Sequence, residues 1–413
     1  MHLGSLALTE FRSVRSLVLE IPEGGFGLIG ANAAGKSTIF EAIVMLATTR
    51  STRAGSEREL INWSSGEDLM VPPYARIEGT LSTRRGTHSV SIGLQAEQLR
   101  AHRVRKVITL DDKRTTARRA VGVLKCVMFE PADIDLVSGS PGQRRRFLDV
   151  LLSQIDPAYL SSLSRYNRIV EQRNSLIKSL VREGQSWSSP GVRTQLDYWD
   201  EELVAHGSRI AFSRLQAVDH LDVFARDRLA SFTGSSDMIT RYQPATGSDD
   251  HQRSRADRLL SAGTRSEQEV AFELAELLKQ LRNIEFRRGM TLIGPHRDDL
   301  NVTVGSIDVG TFGSRGQQRL AAIALKLAEA DLMNRHAGEQ TVVLLDDVYS
   351  ELDRYHRQLL SQAIGDLGAQ VIVSATDRET LGDTGLAHLP VATMSSGSLT
   401  WTDSGEQRPA GVP

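Results

Sequence analysis

The stretch that decides the fold is Gly30-Ala31-Asn32-Ala33-Ala34-Gly35-Lys36-Ser37-Thr38. Its first eight residues fit the pattern G-x-x-x-x-G-K-[ST]. An apolar run with β character, Phe26 to Ile29, comes before it, and Lys36 to Ala47 follows with apolar residues at helical spacing. A glycine-containing loop between a strand and a helix predicts a phosphate-binding loop.

The residue types in this loop suit a nucleoside triphosphate. Small residues let backbone N–H groups close around the α- and β-phosphates at the start of a helix. Lys36 is placed to reach the β- and γ-phosphates, and the Ser37 hydroxyl is placed to bind Mg²⁺. We therefore expect ATP and Mg²⁺ as cofactors, with residues 30–38 as the binding segment.

An acidic segment elsewhere in the chain supplies the strand-end carboxylate that a phosphate loop needs. The apolar run Val342 to Leu345 ends in Asp346 and Asp347. Carboxylates at a strand end commonly hold the magnesium shell in such ATPases. We assign Asp346 to Mg²⁺ and expect Asp347 to orient or polarise the attacking water.

A polar segment before a long helix is harder to interpret by itself. Ser314 precedes a helical pattern with five apolar residues on one face, Leu320, Ile323, Ala324, Leu327 and Ala328. A serine at this position is expected to cap the helix. Taken alone, the segment predicts only a capped helix.

Composition limits the class of protein. The chain has 413 residues, 40% of them apolar, with 49 Lys and Arg against 51 Asp and Glu, so any contact with nucleic acid must come from local basic patches. The single cysteine, Cys126, lies in an apolar run and is expected to be a buried, inert thiol. The chain start lacks a basic segment followed by an apolar one, and no apolar run is long enough for a membrane span, so we expect a cytoplasmic protein without a membrane partner.

The predicted secondary structure changes twice along the chain. Residues 75–130 have β character, and strands return after Gly289. Between them the sequence predicts charged amphipathic helices at Tyr159 to Val181 and Leu196 to Phe224, with a polar interruption at 246–258. Continuous apolar runs at 341–345 and 371–373 predict a parallel sheet. We therefore predict an α/β fold with an ATPase head (1–135 and 286–395) split around a largely helical lobe (136–285), and a flexible tail (396–413).

The order of these segments resembles the ABC-type ATPase heads of the SMC and RecF superfamily, in which Ser-x-Gly-Gln is the signature motif. Within it the chain is similar to the RecF family over nearly its whole length. The residues that carry this resemblance are Phe11-Arg12-Ser13, Asn32 to Lys36, Phe129 to Asp133, Gly139 to Asp149, Tyr166 to Arg168, Gln172 to Asn174, Leu196 to Asp200, Gly294 to Leu300, Gly316 to Leu320 and Leu345 to Val348.

The resemblance implies roles that the residues alone do not give. Ser314, Gly316 and Gln317 would close over the nucleotide held by a second copy of the chain. Ser350 and Asp353 match the D-loop at the dimer seam, Thr376 takes the switch position as a catalytic residue, and Arg12 joins the ATP site.

The chain departs from the family pattern in two places. Ala33 replaces a usual glycine, and Ser37-Thr38 replaces the usual Thr-Asn. A Cβ at position 33 is expected to require a negative φ. The glutamine of the lobe-connecting Q-loop is not assigned, although the neighbourhood of Glu130 fits.

The resemblance also implies an activity. The resemblance implies a slow, DNA-stimulated ATPase that dimerises on gapped DNA or on single-strand/double-strand junctions. It also implies that the protein acts together with RecO and RecR to load RecA, and that it is linked to the SOS response. Because Lys and Arg supply most affinity for phosphate backbones, the candidate DNA contacts are Arg144, Arg145, Arg146, Arg103, Arg105 and Lys106. Arginines at a helix start also often pair with nearby acids, which is the competing interpretation, and for His296 we favour a structural role.

Three alternatives stay open. A transporter ATPase subunit would share the loop and signature but lack the residues quoted from 139 to 200. An SMC-like chromosome-associated structural ATPase would need a far longer inserted coiled coil than residues 136–285 provide. A DNA-binding relative with a decayed site is opposed by the presence of Lys36, Ser314, Asp346 and Asp347.

Overall fold

Six strands form the sheet that carries the phosphate loop. Across the sheet they are Ser398–Trp401, Val391–Ser395, Gly25–Ile29, Val371–Ala375, Val342–Asp346 and Cys126–Phe129. Five of them run parallel, and only 398–401 pairs antiparallel with its neighbour. Every residue of the 342–346 and 371–375 strands is buried, as expected for parallel strands covered on both faces. The predicted parallel sheet is confirmed.

A second, antiparallel sheet also has six strands. In order they are Val14–Glu20, His2–Phe11, Tyr74–Thr83, Gly86–Glu97, Arg100–Leu110 and Lys113–Thr115. Buried and exposed residues alternate along much of 14–20 and 74–83, which is the pattern of a sheet with one face on the core. Four of these strands account for the β character predicted after residue 75.

The helix after the phosphate loop, Lys36–Thr48, is apolar on nearly all sides. Its residues Ile39, Phe40 and Ile43 share one buried cluster with Leu6 of the antiparallel sheet and Leu28 of the parallel sheet. A helix buried all round belongs in a core, so the start of this helix, and with it the phosphate loop, is firmly held. Cys126 lies in the same cluster as a buried free thiol, as predicted.

The computed structural model describes residues 1–67, 70–97, 100–245, 266–382, 385–386 and 388–402. The chain divides into two compact units, one from 1–133 with 329–413 and the other from 134–328. The first unit holds both six-stranded sheets and the helices Ala117–Ala120, Arg354–Asp366 and Arg378–Gly382, with 3₁₀ turns at Glu57–Leu60 and Val348–Glu351. The 3₁₀ turn Pro131–Ile134 ends at the first residue of the second unit. The α/β fold interrupted by a helical insertion is confirmed.

The second unit is mainly helical. Its helices are Asp135–Ser138, Pro141–Ile155, Pro157–Arg182, Pro190–Thr233, Glu267–Arg288 and Val309–Phe312, and a small sheet is formed by Met238–Gln243, Asp299–Val304 and Ile307–Asp308. Proline at the first turn marks the start of three of these helices, where its missing N–H costs nothing. The helix Arg315–Ala337 begins in this unit and ends in the other.

Two buried arginines hold the helices of the second unit together. Arg173 donates to Asp200 at 2.8 Å, to Glu285 at 2.6 Å and to Thr291 at 2.8 Å. Arg214 does the same in a second place, where it donates to Tyr159, Asp149 and the carbonyl of Pro295. Since removing one partner of a buried ion pair costs about 3–5 kcal/mol, both arginines are structural.

Some boundaries differ from those predicted. Residues 286–328 group with the helical unit, because the strand Asp299–Val304 pairs with Met238–Gln243 there. Residues 398–401, predicted as part of a flexible tail, form a strand whose Trp401 ring packs edge-on against Phe26 at 5.5 Å. The polar interruption predicted at 246–258 lies outside the described residues.

Candidate nucleotide-binding site

Two glycines of the phosphate loop are required by space and by backbone geometry. A Cβ on Gly30 would lie 2.5 Å from the carbonyl oxygen of Met394, closer than real contacts allow. Gly35 adopts φ 108°, a region that side chains disfavour, and ends the loop at the N-terminus of the helix Lys36–Thr48. The Lys36 ammonium folds back over the loop and donates to the carbonyl oxygens of Gly30 and Ala31. The loop therefore has the compact form that surrounds phosphate groups.

Ala33 adopts φ 65°. The expectation of a negative φ at this position was wrong, because the loop keeps the left-handed backbone that glycine adopts freely. For an L-residue that conformation costs roughly 1–2 kcal/mol. The short alanine side chain tolerates it, and the loop shape dominates the local preference.

The two predicted acids lie at the carboxyl end of the parallel sheet. Asp346 is buried, and its Oδ1 accepts a hydrogen bond of 2.8 Å from the Ser374 hydroxyl. The same hydroxyl oxygen accepts the backbone N–H of Asp347 at 3.0 Å. Ser374 thus fixes both acids, and the sequence analysis missed it because a serine inside an apolar strand gives no signal of a site.

The Asp347 carboxyl is suited to act on a water molecule. Burial raises its pKa, the charge of Lys36 lowers it, and the charge of Asp346 raises it again, with a net upward shift. Asp347 also adopts φ 56°, which turns the chain sharply after the strand. A carboxyl with a raised pKa at the end of a strand is a reasonable proton acceptor.

Arg53 is a further residue of the site that the sequence analysis missed. Its Nη2 lies 2.8 Å from Asp346 Oδ2 and 2.9 Å from Glu130 Oε2. Burial lowers the pKa of Arg53, but hydrogen bonds and charge from the two carboxylates outweigh it and raise the pKa overall. Glu130, left unassigned at the Q-loop position, therefore belongs to the same cluster as Asp346.

Magnesium fits the residues present. The cluster already places a cationic group against Asp346, and Ser37 supplies a hydroxyl of the kind that Mg²⁺ accepts beside a phosphate loop. Among the residues that the structure describes there is no group of three or more His, Cys, Asp and Glu that could hold a metal by itself. A magnesium ion here would thus depend on phosphate oxygens and water for its other ligands.

Arg12 lies beside the helix that follows the phosphate loop. Its guanidinium makes a two-pronged ion pair with Glu41, at 2.9 and 2.8 Å, and donates to the carbonyl oxygen of Glu59 at 3.1 Å. The neighbouring Ser13 hydroxyl lies 3.5 Å from that of Thr38. Arg12 therefore anchors the start of the chain to this helix, and its contact with nucleotide stays a prediction.

The residues assigned to the switch and the D-loop are exposed at the same sheet edge. Thr376 follows the strand Val371–Ala375 directly, and its hydroxyl donates to Asp377 at 2.9 Å. Ser350 donates to the carbonyl oxygen of Asp347 at 2.7 Å, which ties the D-loop to the acidic pair. Asp353 caps the next helix by accepting the N–H of His356 at 2.9 Å.

The signature segment lies in the second unit. Ser314 caps the helix Arg315–Ala337: its Oγ accepts the N–H of Gln317 at 3.3 Å, and its own N–H donates to the Gln317 side chain at 2.9 Å. The predicted cap is confirmed. Ser314, Gly316 and Gln317 are all exposed, so the N-terminal end of a 23-residue helix is open to an anionic group.

The basic candidates fall into two classes. Arg144 and Arg145 bind within the chain, to Asp299 and to the carbonyl oxygen of Asp298, as the competing interpretation proposed, and Arg146 also has partners. In the strand Arg100–Leu110, the side chains at 103 and 105 share one exposed face, since residues two apart in a strand point the same way.

Charged partners lie near this strand. Arg103 is 3.7 Å from Glu97, and Lys106 pairs with Glu57 at 2.6 Å. The Arg103 contact is long and its side chain is exposed, whereas Lys106 is held closely by its acidic partner. Of the six basic candidates, the exposed Arg103 and Arg105 are the best placed for a phosphate backbone.

His296 has a structural environment. Its Nδ1 lies 2.7 Å from the Tyr166 hydroxyl and its Nε2 lies 3.4 Å from the carbonyl oxygen of Thr291. Burial lowers its pKa from 6.5 to about 4. This half-buried, neutral imidazole supports the structural role favoured from the sequence. No helix in the described part of the chain has the length and apolar character of a membrane span.

Comparisons with known proteins agree with this geometry. The family described as the RecF/RecN/SMC N terminal domain matches residues 2–395. The chain is 42% identical to the DNA replication and repair protein RecF of Thermomicrobium roseum, over 97% of this chain and 99% of that one. It is 41% identical to the RecF of Herpetosiphon aurantiacus, over 91% and 94%.

A solved structure gives the same result in three dimensions. The structure described as the recombination mediator protein RecF-ATPrS in the RecFOR pathway has a TM-score of 0.81 to this chain, with 25% identity, and covers 97% of this chain and 98% of its own. The family match includes the phosphate loop, Ser314 and the acidic strand end at Asp346.

Proposed function

This chain belongs to the RecF family, and from that membership we propose that it is an ATP-dependent DNA-binding protein of DNA replication and recombinational repair. The relatives that share about two fifths of its residues carry the name DNA replication and repair protein. The cytoplasm is its proposed location.

One observation carries the nucleotide chemistry. The parallel strands place Ile29 beside Ala375 and Asp346 beside Ser374, so the phosphate loop and both acids emerge at the same edge of one sheet. Lys36 would bind the β- and γ-phosphates there, and Asp346 with Ser37 would hold Mg²⁺. Bound Mg²⁺ neutralises charge that develops on the phosphates. Asp347, with its raised pKa, would orient the attacking water, and Thr376 would contact the γ-phosphate.

The second half of the proposal is an ATP-dependent dimer. Ser314 and the Gly316 amide are exposed at the start of a long helix, where backbone N–H groups and the helix dipole favour an anion. We assign them to the γ-phosphate bound by a second copy, with Ser350 and Asp353 at the seam. ADP lacks that phosphate, so ATP favours the dimer and hydrolysis releases it.

DNA and protein partners complete the proposal. The RecFOR pathway named for the solved relative suggests RecO and RecR as partners. Loading of RecA at single-strand gaps and junctions, and a link to the SOS response, are carried over from the resemblance to the RecF family. Exposed Arg103 and Arg105 are the proposed phosphate contacts. Slow ATP turnover that is stimulated by gapped DNA is carried over from the resemblance to the RecF family. Salt should weaken this binding.

The mass of the protein in solution tests the dimer. Light scattering is measured with ADP, with ATP and Mg²⁺, and with ATP, Mg²⁺ and gapped DNA. We expect a doubling of mass that requires ATP. A monomer under every condition would contradict the proposal and leave only a nucleotide-binding protein.

Three variants separate the steps. Lys36→Ala should lose nucleotide binding, whereas Ser314→Ala should bind ATP with normal affinity and stay monomeric. Ser266→Ala is the matched control, because Ser266 caps the helix Glu267–Arg288 through the same type of bond to Glu269 and has no assigned role. If Ser314→Ala dimerises like Ser266→Ala, the signature does not act between copies.

A further inference from the structure

All three guanidinium nitrogens of Arg144 donate to partners within the second unit. Its Nε and Nη2 donate to the two carboxylate oxygens of Asp299 at 2.7 and 2.8 Å. Its Nη1 donates to the carbonyl oxygen of Gly139 at 2.7 Å and approaches that of Val137 at 3.5 Å. Only 12% of the side chain is exposed. A guanidinium in this two-pronged geometry would have to break these bonds to bind a DNA phosphate.

The turn at 137–139, whose carbonyl oxygens accept from Arg144, packs next to the signature segment. A Cβ added to Gly310 would lie 2.5 Å from the carbonyl oxygen of Val137, so the turn held by Arg144 is in tight contact with the short helix Val309–Phe312. The buried side chain of Gln318 donates to the carbonyl oxygens of Val309 and Gly310, at 3.1 and 3.2 Å. Gln318 belongs to the first turn of the signature helix.

The other partner of Arg144, Asp299, is also connected to the segment just before Ser314. Asp299 is the first residue of the strand Asp299–Val304, whose far end pairs with Ile307–Asp308. Asp308 then caps the helix Val309–Phe312 by accepting the N–H of Thr311 at 3.1 Å. Arg144 therefore contacts both segments that fix the chain just before Ser314.

We propose that Arg144 is a positioning residue for the signature motif: it holds the turn at 137–139 and the strand start at Asp299 so that Ser314 and Gly316 face the nucleotide in a fixed orientation. This replaces its candidate role as a DNA contact. The consequence for dimerisation rests on the proposed function above, whereas the consequence for local order at 309–318 does not.

The substitution Asp299→Asn distinguishes the two roles. If Arg144 positions the signature, removing the carboxylate charge loosens the same structure as Arg144→Gln, and the two changes together add little. If Arg144 contacts DNA, Asp299→Asn releases the guanidinium and strengthens DNA binding. Arg144→Lys adds a second test, because lysine keeps the charge for a phosphate and lacks the fork needed here.

The first measurement is hydrogen–deuterium exchange on the full-length protein without nucleotide. We expect amide exchange at 309–318 to rise at least threefold in Arg144→Gln, Arg144→Lys and Asp299→Asn, with the helix Pro157–Arg182 unchanged. Arg103→Gln is the control and should exchange like the parent protein. Unchanged exchange at 309–318 in all three variants would overturn the proposal.

The second measurement follows ATP. The dissociation constant for ATP should stay within twofold in all three variants, while the ATP-dependent dimer should require about tenfold more protein and turnover at saturating ATP should fall. Loss of DNA affinity in Arg144→Gln with normal dimerisation would instead establish the DNA role. If the parent protein itself does not dimerise, the proposed function fails, and the exchange measurement alone decides the role of Arg144.

Discussion

The Ser374 hydroxyl donates a hydrogen bond of 2.8 Å to Asp346 Oδ1, at the end of two adjacent parallel strands. The same hydroxyl oxygen accepts the N–H of Asp347, so one side chain sets the direction of the Asp346 carboxylate, the proposed magnesium ligand, and the position of the next residue. Partners that orient a metal ligand in this way commonly change metal affinity by about 10–100-fold when removed.

Ser374→Ala is therefore expected to raise the Mg²⁺ concentration needed for half-maximal ATP hydrolysis by about tenfold. Binding of ATP measured without Mg²⁺ should change little, because Lys36 and the loop amides remain. A titration of turnover with Mg²⁺ is the measurement. Ser208→Ala removes a buried hydroxyl in the other unit and is the control. Equal magnesium curves for Ser374→Ala and the parent protein would refute the orienting role.

Ala33→Gly should leave the free energy of unfolding nearly unchanged. Glycine relieves about 1 kcal/mol of left-handed strain at φ 65° but gives the unfolded chain more freedom by a similar amount. The same change at Ala42, buried in the helix Lys36–Thr48, should destabilise by about 1 kcal/mol or more. Denaturant unfolding of both variants is the measurement, and a large loss at position 33 would contradict the strain argument.

Much of the nucleotide site could be predicted because its signals are local. The spacing of Gly30, Gly35 and Lys36 and the apolar run before Asp346 each lie within a few residues, and the sheet brings them to one edge. Ser314 could be predicted as a cap for the same reason. Local patterns also placed the long helices of the middle segment, although Pro190–Thr233 extends beyond the predicted 196–224 at both ends.

The rest depends on pairs that are distant in sequence. Arg53 meets Asp346 across 293 positions, and Arg144 meets Asp299 across 155. No periodicity or composition shift marks either pair, because an arginine in a basic run has the same appearance whether it faces an acid or solvent. The φ of Ala33 could not be predicted either, since the loop conformation outweighs the preference of one residue.

Arg53→Gln should lower the free energy of unfolding by about 1–3 kcal/mol in the absence of Mg²⁺. The buried Asp346 carboxylate would lose its cationic partner, while part of the pair is open to solvent, which reduces the cost. In the background Asp346→Asn the same substitution should cost less, by at least about 1 kcal/mol. Chemical denaturation of the two single variants and the double variant measures this coupling. Purely additive losses would show that Arg53 acts through Glu130 alone.

His296 should make the second unit sensitive to acid. Its pKa is about 4 in the folded protein, lowered by burial and by the nearby charges of Arg297, Arg145 and Arg173, against an ordinary value of 6.5. The unfolded chain therefore takes up a proton between pH 6.5 and pH 4 that the folded protein does not, and stability falls as the pH falls through this window. The full shift corresponds to about 3 kcal/mol.

The comparison of His296→Asn with the parent protein isolates this contribution. Asparagine keeps an acceptor for the Tyr166 hydroxyl but does not titrate. Between pH 7 and pH 4.5 the parent protein should lose about 2–3 kcal/mol more of its unfolding free energy than the variant does. The substitution His336→Asn, at an exposed position, is the matched control and should follow the parent curve. If His296→Asn loses stability with acid as steeply as the parent protein, the imidazole is not the group that titrates, because its removal would then have left the proton uptake of unfolding unchanged.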